Sequence, residues 1–301
     1  METYDVAFLP GIKGGLELTE GNNIIKNTSQ PNNVETLLKG LKTIGVMEGD
    51  VLLVHSSLSA LGWVCGGAPT VVAALLKAVG VNGTIAMPSF SLENSDPSIW
   101  GEYPPDKPIS KRLLPHPVPK EWHNFIRENI PAYDKNITPC SKGLGIITEC
   151  FRTYPGTLRS DHPSASFTAN GNYAQEIIKN HPLSPVLGMA SPLGNLYKLG
   201  AKILMMGVNY NKCTSFHLSE YMTKKFPKVT HCGAVFENGI RVWKIYENYD
   251  SNVDDFVSIG EACENEGLVQ LGKIGDADCK LIDMKGAVDF GVEWIIKNMD
   301  S

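Results

Sequence analysis

The chain has 301 residues, 43% of them hydrophobic, which is enough for one large core or two small ones without disulfides or metals. Its 27 Lys and Arg against 32 Asp and Glu leave a net charge of −5. That balance excludes a protein built to coat nucleic acid, which needs clustered cations, and leaves room for a cationic small molecule. Met1 opens no basic and apolar leader, and no apolar run reaches the ~20 residues of a membrane span. Seven widely spaced cysteines suggest neither a disulfide framework nor a CxxC site, so the expectation is a reduced, cytoplasmic protein with no membrane partner.

Residues 1–32 carry Gly, Asn and Pro without periodicity and read as a loosely attached lead-in to a domain over 33–301. Asn33 suits the N-cap of a helix through Leu41, where Val34, Leu37, Leu38 and Leu41 fall at i, i+3, i+4 and i+7. Val51–Val54 is a short unbroken apolar run between turn residues, the pattern of a strand buried on both faces. A loop with Gly62, Gly66 and Gly67 follows. Then come Pro69 in the first turn of a helix over Thr70–Val79, Gly80 at its end, and a strand at Thr84–Met87. Strand, glycine loop, helix and strand predict a parallel βαβ unit with a right-handed crossover.

Residues 94–122, rich in Pro, Trp, Tyr and Lys, read as a long excursion over the active site. Ser191-Pro192 opens a short helix to Leu199, and Lys202–Met206 is another buried strand. Asn238-Gly239, within Val235–Val242, predicts a hairpin with a type I′ turn. Val253–Glu266 and Ala287–Met299 have amphipathic helical spacing. With no repeat and no linker, the reading is a single α/β domain with antiparallel additions.

Two stretches carry chemistry. The first, Ser56, Ser57, Leu58, Ser59 and on through Gly62, Gly66 and Gly67, lies at the carboxyl end of a strand and ahead of a helix, where ligands gather and free N–H groups suit phosphate. It matches neither GxxxxGK[ST] nor GxGxxG, and a turn whose serines cap the next helix explains it equally well. The second places Thr214 or Ser215 to cap a helix carrying His217 and Glu220, whose i, i+3 spacing lets imidazole and carboxylate touch. A carboxylate on one ring nitrogen leaves the other as a base, although such a pair is also an ordinary helix-surface contact. This is not HExxH, and no second histidine has metal spacing, so no metal is expected. Arg159-Ser160-Asp161-His162 could hold phosphate or substrate, or be a plain loop. Cys213 is a nucleophile if His217 activates it, and otherwise a small buried hydrophobe. His116, His123, His181 and His231 read as surface or structural.

Six segments together, VHSSLSALGWVCGGAPTVVAALL (54–76), GTIAMPSFS (83–91), ITPCSKGLG (137–145), ECFRTYPGTLRSDHPSASFTANG (149–171), SPLGNLYKLGAKILMMGV (191–208) and TSFHLSE (214–220), resemble the aminoglycoside 3-N-acetyltransferase family. The GNAT phosphate signature is missing, since none of the eight Arg or Gln residues has Gly three positions later. The resemblance implies a three-layer α/β/α domain around a mixed, partly parallel sheet with an added antiparallel hairpin, not the GNAT fold. It implies that Ser56–Gly67 binds acetyl-CoA, that His217 is the catalytic base with Glu220 in its cluster, and that Arg152 and Arg159 lie near coenzyme A or the active-site wall. Thr214 and His162 are placed at the active-site wall. The sequence departs from the family at Cys213, where Asn is expected before the Thr-Ser-x-His run. The implied substrate is an amine, a cationic 2-deoxystreptamine aminoglycoside acetylated at its 3-amino group. A same-family enzyme for another amine, or a coenzyme A binder without turnover, are the alternatives. The sequence sets no oligomeric state.

Overall fold

A computed structural model describes residues 24–102, 114–250, 253 and 255–298. Most of the expected lead-in (1–23) and the middle of the excursion (103–113) lie outside the described residues. Asn33 caps helix α1 (Val34–Thr43) through a reciprocal pair: its side chain accepts from the Thr36 N–H, and the Thr36 hydroxyl accepts from the Asn33 N–H. Leu37, Leu38 and Leu41 form its buried stripe, as their spacing predicts. Strand β1 (Val51–Ser56), helix α2 (Ala68–Val79) and strand β2 (Thr84–Pro88) form the expected unit, with β1 and β2 parallel.

There follow α3 (His123–Asn129), α4 (Ile146–Arg152), β3 (Leu158–Arg159), β4 (Phe167–Gly171), α5 (Ala174–Ile178) and α6 (Pro192–Lys198). Ser191 caps α6 by accepting from the Leu193 N–H. Strand β5 (Lys202–Met206), helix α7 (Ser215–Thr223), strands β6 (Lys228–Glu237) and β7 (Ile240–Tyr249), helix α8 (Phe256–Asn265), strands β8 (Val269–Ile274) and β9 (Ala277–Asp283) and helix α9 (Met284–Asn298) complete the chain.

Among the described residues, seven strands form one sheet in the order β3-β4-β2-β1-β5-β9-β8. β1 lies at its centre, parallel to β2 and β5, and the remaining pairings are antiparallel. Alternation along the central strands loads both faces. Leu52, Val54, Ile85, Met87, Leu204 and Met206 pack with α1, α2 and α4, while Leu53, Ala86, Ile203 and Met205 pack with α5 to α9. The domain is therefore three-layered α/β/α with a mixed sheet.

The structure adds two details to these expectations. The Asn238-Gly239 hairpin forms, with φ of 50° and 78° at the turn, but β6 and β7 make a two-stranded sheet of their own. The antiparallel hairpin on the central sheet is β8–β9 instead. The end of the lead-in is also fastened rather than loose. The Asn32 N–H donates to the Trp63 carbonyl at 2.8 Å, the Cys65 N–H donates to the Asn32 carbonyl at 2.9 Å, and the Trp63 N–H donates to the Thr28 hydroxyl at 2.7 Å. These bonds clamp the glycine loop from outside. No described helix is long and apolar enough to cross a membrane.

Candidate active site

A cavity of about 650 Å³ opens where β1, β2 and β5 end, lined there by Val54, His55, Ser56, Pro88 and Val208. Carboxyl ends of strands are where open α/β sheets place ligands. Gly207, at φ 66°, lets the end of β5 turn beneath the loop, since a Cβ there would lie 2.2 Å from that of Ala60. Ser57, Leu58, Ser59, Gly62 and Gly67 line one side of the cavity. Gly67 sits at the N-cap of α2 with no capping side chain, so the positive end of that helix faces the cavity.

The second wall is residues 143–146 with Thr148. The Ser141 N–H holds this segment to the Phe90 carbonyl at 2.7 Å, and the Ser141 hydroxyl donates to Glu93 at 2.5 Å. The third wall carries Asn211, Lys212, Thr214, His217, Val253 and Phe256. Helix α7 is buried through Phe216, Leu218, Ser219, Glu220 and Tyr221, which leaves His217 to face the cavity. The His217 Nδ1–H donates to Glu220 Oε2 at 2.6 Å, and the Glu220 side chain is 2% exposed. Phe256 meets the imidazole edge-on, with ring centres 4.8 Å apart. A carboxylate on Nδ1 and an aromatic wall fix the ring with Nε2 as the free lone pair, the geometry of an oriented base.

The structure thus brings together Ser56, Ser57, Leu58, Ser59, Gly62, Gly67, Thr214 and His217, with Glu220 directly behind His217. Gly66 adjoins the cavity through Gly67 without lining it. Thr214 holds the N-cap position of α7 but makes no side-chain cap bond, and the Ser215 hydroxyl, buried within the helix layer, makes none either. None of the described residues of the 94–122 excursion lines the cavity.

Arg152, Arg159 and His162 do not reach the cavity. Arg152 is engaged by Glu149 and by the Asn136 carbonyl. Arg159, 5% exposed, donates to Ser166, to the Ser89 and Thr138 carbonyls and to the Ser91 hydroxyl, and lies over the Tyr133 ring. It is an internal clamp that holds the turn after β2 in place. His162 is fully buried, and its Nδ1 accepts from the Ala165 N–H at 2.9 Å. Linear spacing could not show that these polar groups point inward. Arg159→Met leaves several buried acceptors without a donor and is expected to cost about 3 kcal/mol or more of stability. Denaturant titration would read this as a shifted midpoint, and a stable variant would remove the clamp role.

Cys213 is 0% exposed, and burial pushes its thiol up to about 12, so it holds no thiolate for attack. Lining residues to which the sequence assigns no role include His55, Phe90, Phe256 and the 143–146 wall. Gly143-Leu144-Gly145 was the available signal for the last of these, because paired glycines let backbone approach a ligand.

The family model described as aminoglycoside 3-N-acetyltransferase matches residues 53–296. The chain is 41% identical over 276 residues to the SPbeta prophage-derived aminoglycoside N(3′)-acetyltransferase-like protein YokD of Bacillus subtilis, covering 91% of this chain and 96% of that one. The crystal structure of YokD superposes with a TM-score of 0.87 over 93% of this chain and 99% of that one, at 40% identity. AAC-VIa bound to sisomicin gives 0.75 at 30% identity, over 88% and 98%, and AAC-IIIb with CoASH gives 0.74 at 28%, over 89% and 97%. With the family model spanning residues 53–296 and so all three walls of the cavity, the chain belongs to the aminoglycoside 3-N-acetyltransferase family.

Proposed function

We propose that the chain transfers the acetyl group of acetyl-CoA directly to an amine, with Nε2 of His217 as the general base. The observation that carries this reading is the 2.6 Å contact between His217 and Glu220, facing a cavity whose opposite wall is the serine and glycine loop before α2. That loop would hold the pantetheine and phosphates at an uncapped helix N-terminus, and a family member solved with CoASH supports the donor. The neutral amine attacks the acetyl carbonyl carbon while His217 accepts a proton from nitrogen. The tetrahedral oxyanion collapses, the C–S bond breaks, and the imidazolium returns the proton to the departing thiolate. The step needs a base and donors for the oxyanion, and no metal enters it.

The family points to the 3-amino group of a 2-deoxystreptamine aminoglycoside as acceptor, and the relative bound to sisomicin supports that choice. One observation favours a second reading, another amine with fewer charges. Among the described lining residues Lys212 is a cation and none is a carboxylate, which suits a polycation poorly. Thiol release from acetyl-CoA, measured with sisomicin and with a panel of monoamines, decides between them. Turnover with sisomicin and an acetyl group at its 3-amino nitrogen by NMR is the expected result. Turnover confined to monoamines selects the second reading, and no turnover with any amine contradicts both.

Binding of the donor can be read separately. Acetyl-CoA at about a hundred times its Kd should stabilise the fold by ~2.7 kcal/mol, raising Tm by several degrees. An unmoved melting curve at millimolar acetyl-CoA would contradict the donor assignment.

A further inference from the structure

We infer that His55 is a further catalytic residue, whose imidazole N–H hydrogen-bonds the carbonyl oxygen of the acetyl thioester. His55 lies near the carboxyl end of the central strand β1 and lines the cavity, yet it is only 8% exposed. Its register partner on β5 is Met205, whose side chain packs in the same cluster as Phe256, the residue that meets the His217 ring. His55 is therefore on the His217 side of the sheet, and it lines the same cavity as the loop proposed for the donor and the proposed base.

The Nε2 of His55 is buried and has no hydrogen-bond partner among the described residues. A buried polar atom left unpaired costs stability and calls for an explanation, and for a side chain that lines the cavity a bound ligand supplies one. Burial also holds the ring pKa down to about 4, so at neutral pH it is an uncharged imidazole with one N–H to give. The reaction needs such a donor. Along the loop, the N–H groups of Ser57, Trp63, Cys65 and Gly67 are already bonded to Met206, Thr28, Asn32 and Val64. These four donors are spent within the protein, and a neutral imidazole beside the loop adds one directed by the central strand.

This inference rests on acetyl-CoA being the donor, so the test uses the full chain and begins with thiol release by the native protein. His55→Leu removes both nitrogens. It should lower kcat/KM by about 10², the usual worth of one oxyanion donor, while coenzyme A affinity stays within threefold. Tm should hold or rise by a few degrees, because an unpaired buried nitrogen is gone. His55→Gln, which offers an amide N–H near the former Nε2, should recover at least tenfold of the lost rate. A Leu variant within twofold of native kcat/KM overturns the inference alone. So does a Leu variant that melts well below native, or fails to fold, while the Gln variant folds with no recovered rate. A native protein that releases no thiol with any amine overturns the acetyl-transfer reading itself.

Discussion

His217→Ala is expected to lower kcat by about 10² to 10⁴, the usual contribution of a positioned general base. The attacking amine gains positive charge as its bond to the carbonyl carbon forms, so the step waits on a group that takes its proton. His217 is held for that task by Glu220 on one ring nitrogen and Phe256 at its edge. Acetyl-CoA affinity should survive the substitution, because the imidazole acts on the amine rather than on the nucleotide. Cys213→Ser is the control. The thiol is fully buried with its pKa pushed up to about 12, so the variant should keep most of the native rate. Steady-state kinetics on the two variants separate the roles. An active His217→Ala enzyme, or an inactive but folded Cys213→Ser enzyme, would overturn them.

Acid should unfold the protein over a narrow range, and three buried imidazoles set where. Burial holds His55 and His181 down to about 4, and burial with the neighbouring His181 ring holds His162 well below its ordinary value. His181 is further committed as a neutral ring, between the Ser160 hydroxyl at Nδ1 and the Val186 carbonyl at Nε2, each 2.9 Å away. Unfolded, each titrates near 6.5. Between those values the unfolded chain binds protons that the folded chain refuses, so stability is full above about pH 6.5 and falls as pH drops toward 4. A displacement from 6.5 to about 4 is worth ~3 kcal/mol for each of His55 and His181, and His162 adds to the same slope. Two such losses approach the whole stability of a typical domain, ~5–15 kcal/mol. Urea midpoints should be flat from pH 7 to 8 and collapse between pH 6 and 4.5. The Asp96 carboxyl, held to about 2 chiefly by Arg127 against the opposing effect of burial, acts only below that window. A midpoint unchanged down to pH 4.5 would show that these rings are hydrated or already charged.

The parts of the fold legible in the sequence are those whose local signals agree. β1, α2 and β2 announced themselves through an unbroken apolar run, Pro69 at a helix start and Gly80 at its end, and Asn33 caps α1 as its chemistry predicts. β8 and β9 were not legible. Val269–Ile274 carries an interior glycine and a lysine, and an edge hairpin exposed on one side lacks the apolar run that marks a central strand. In the site, the His217 and Glu220 pair was visible because helical spacing fixes which side chains meet. Arg159 and His162 misled because sequence names a polar residue without saying which way it faces. Here both turn inward: Arg159 spends its donors on protein acceptors, and His162 is buried with Nδ1 accepting from the Ala165 N–H. His55 heads the serine and glycine stretch in the sequence without a role of its own, since the apolar run of β1 reads as ended at Val54 while the strand continues to Ser56 and carries the imidazole with it.

Where the acetyl group travels is the most direct test of transfer in a single step. The protein mixed with isotopically labelled acetyl-CoA alone should show its unchanged mass, and on adding sisomicin the label should appear on an amine of the product. A protein heavier by about 42 Da after donor alone would mean a covalent acetyl-enzyme and a ping-pong route, and would contradict direct transfer with His217 as the base.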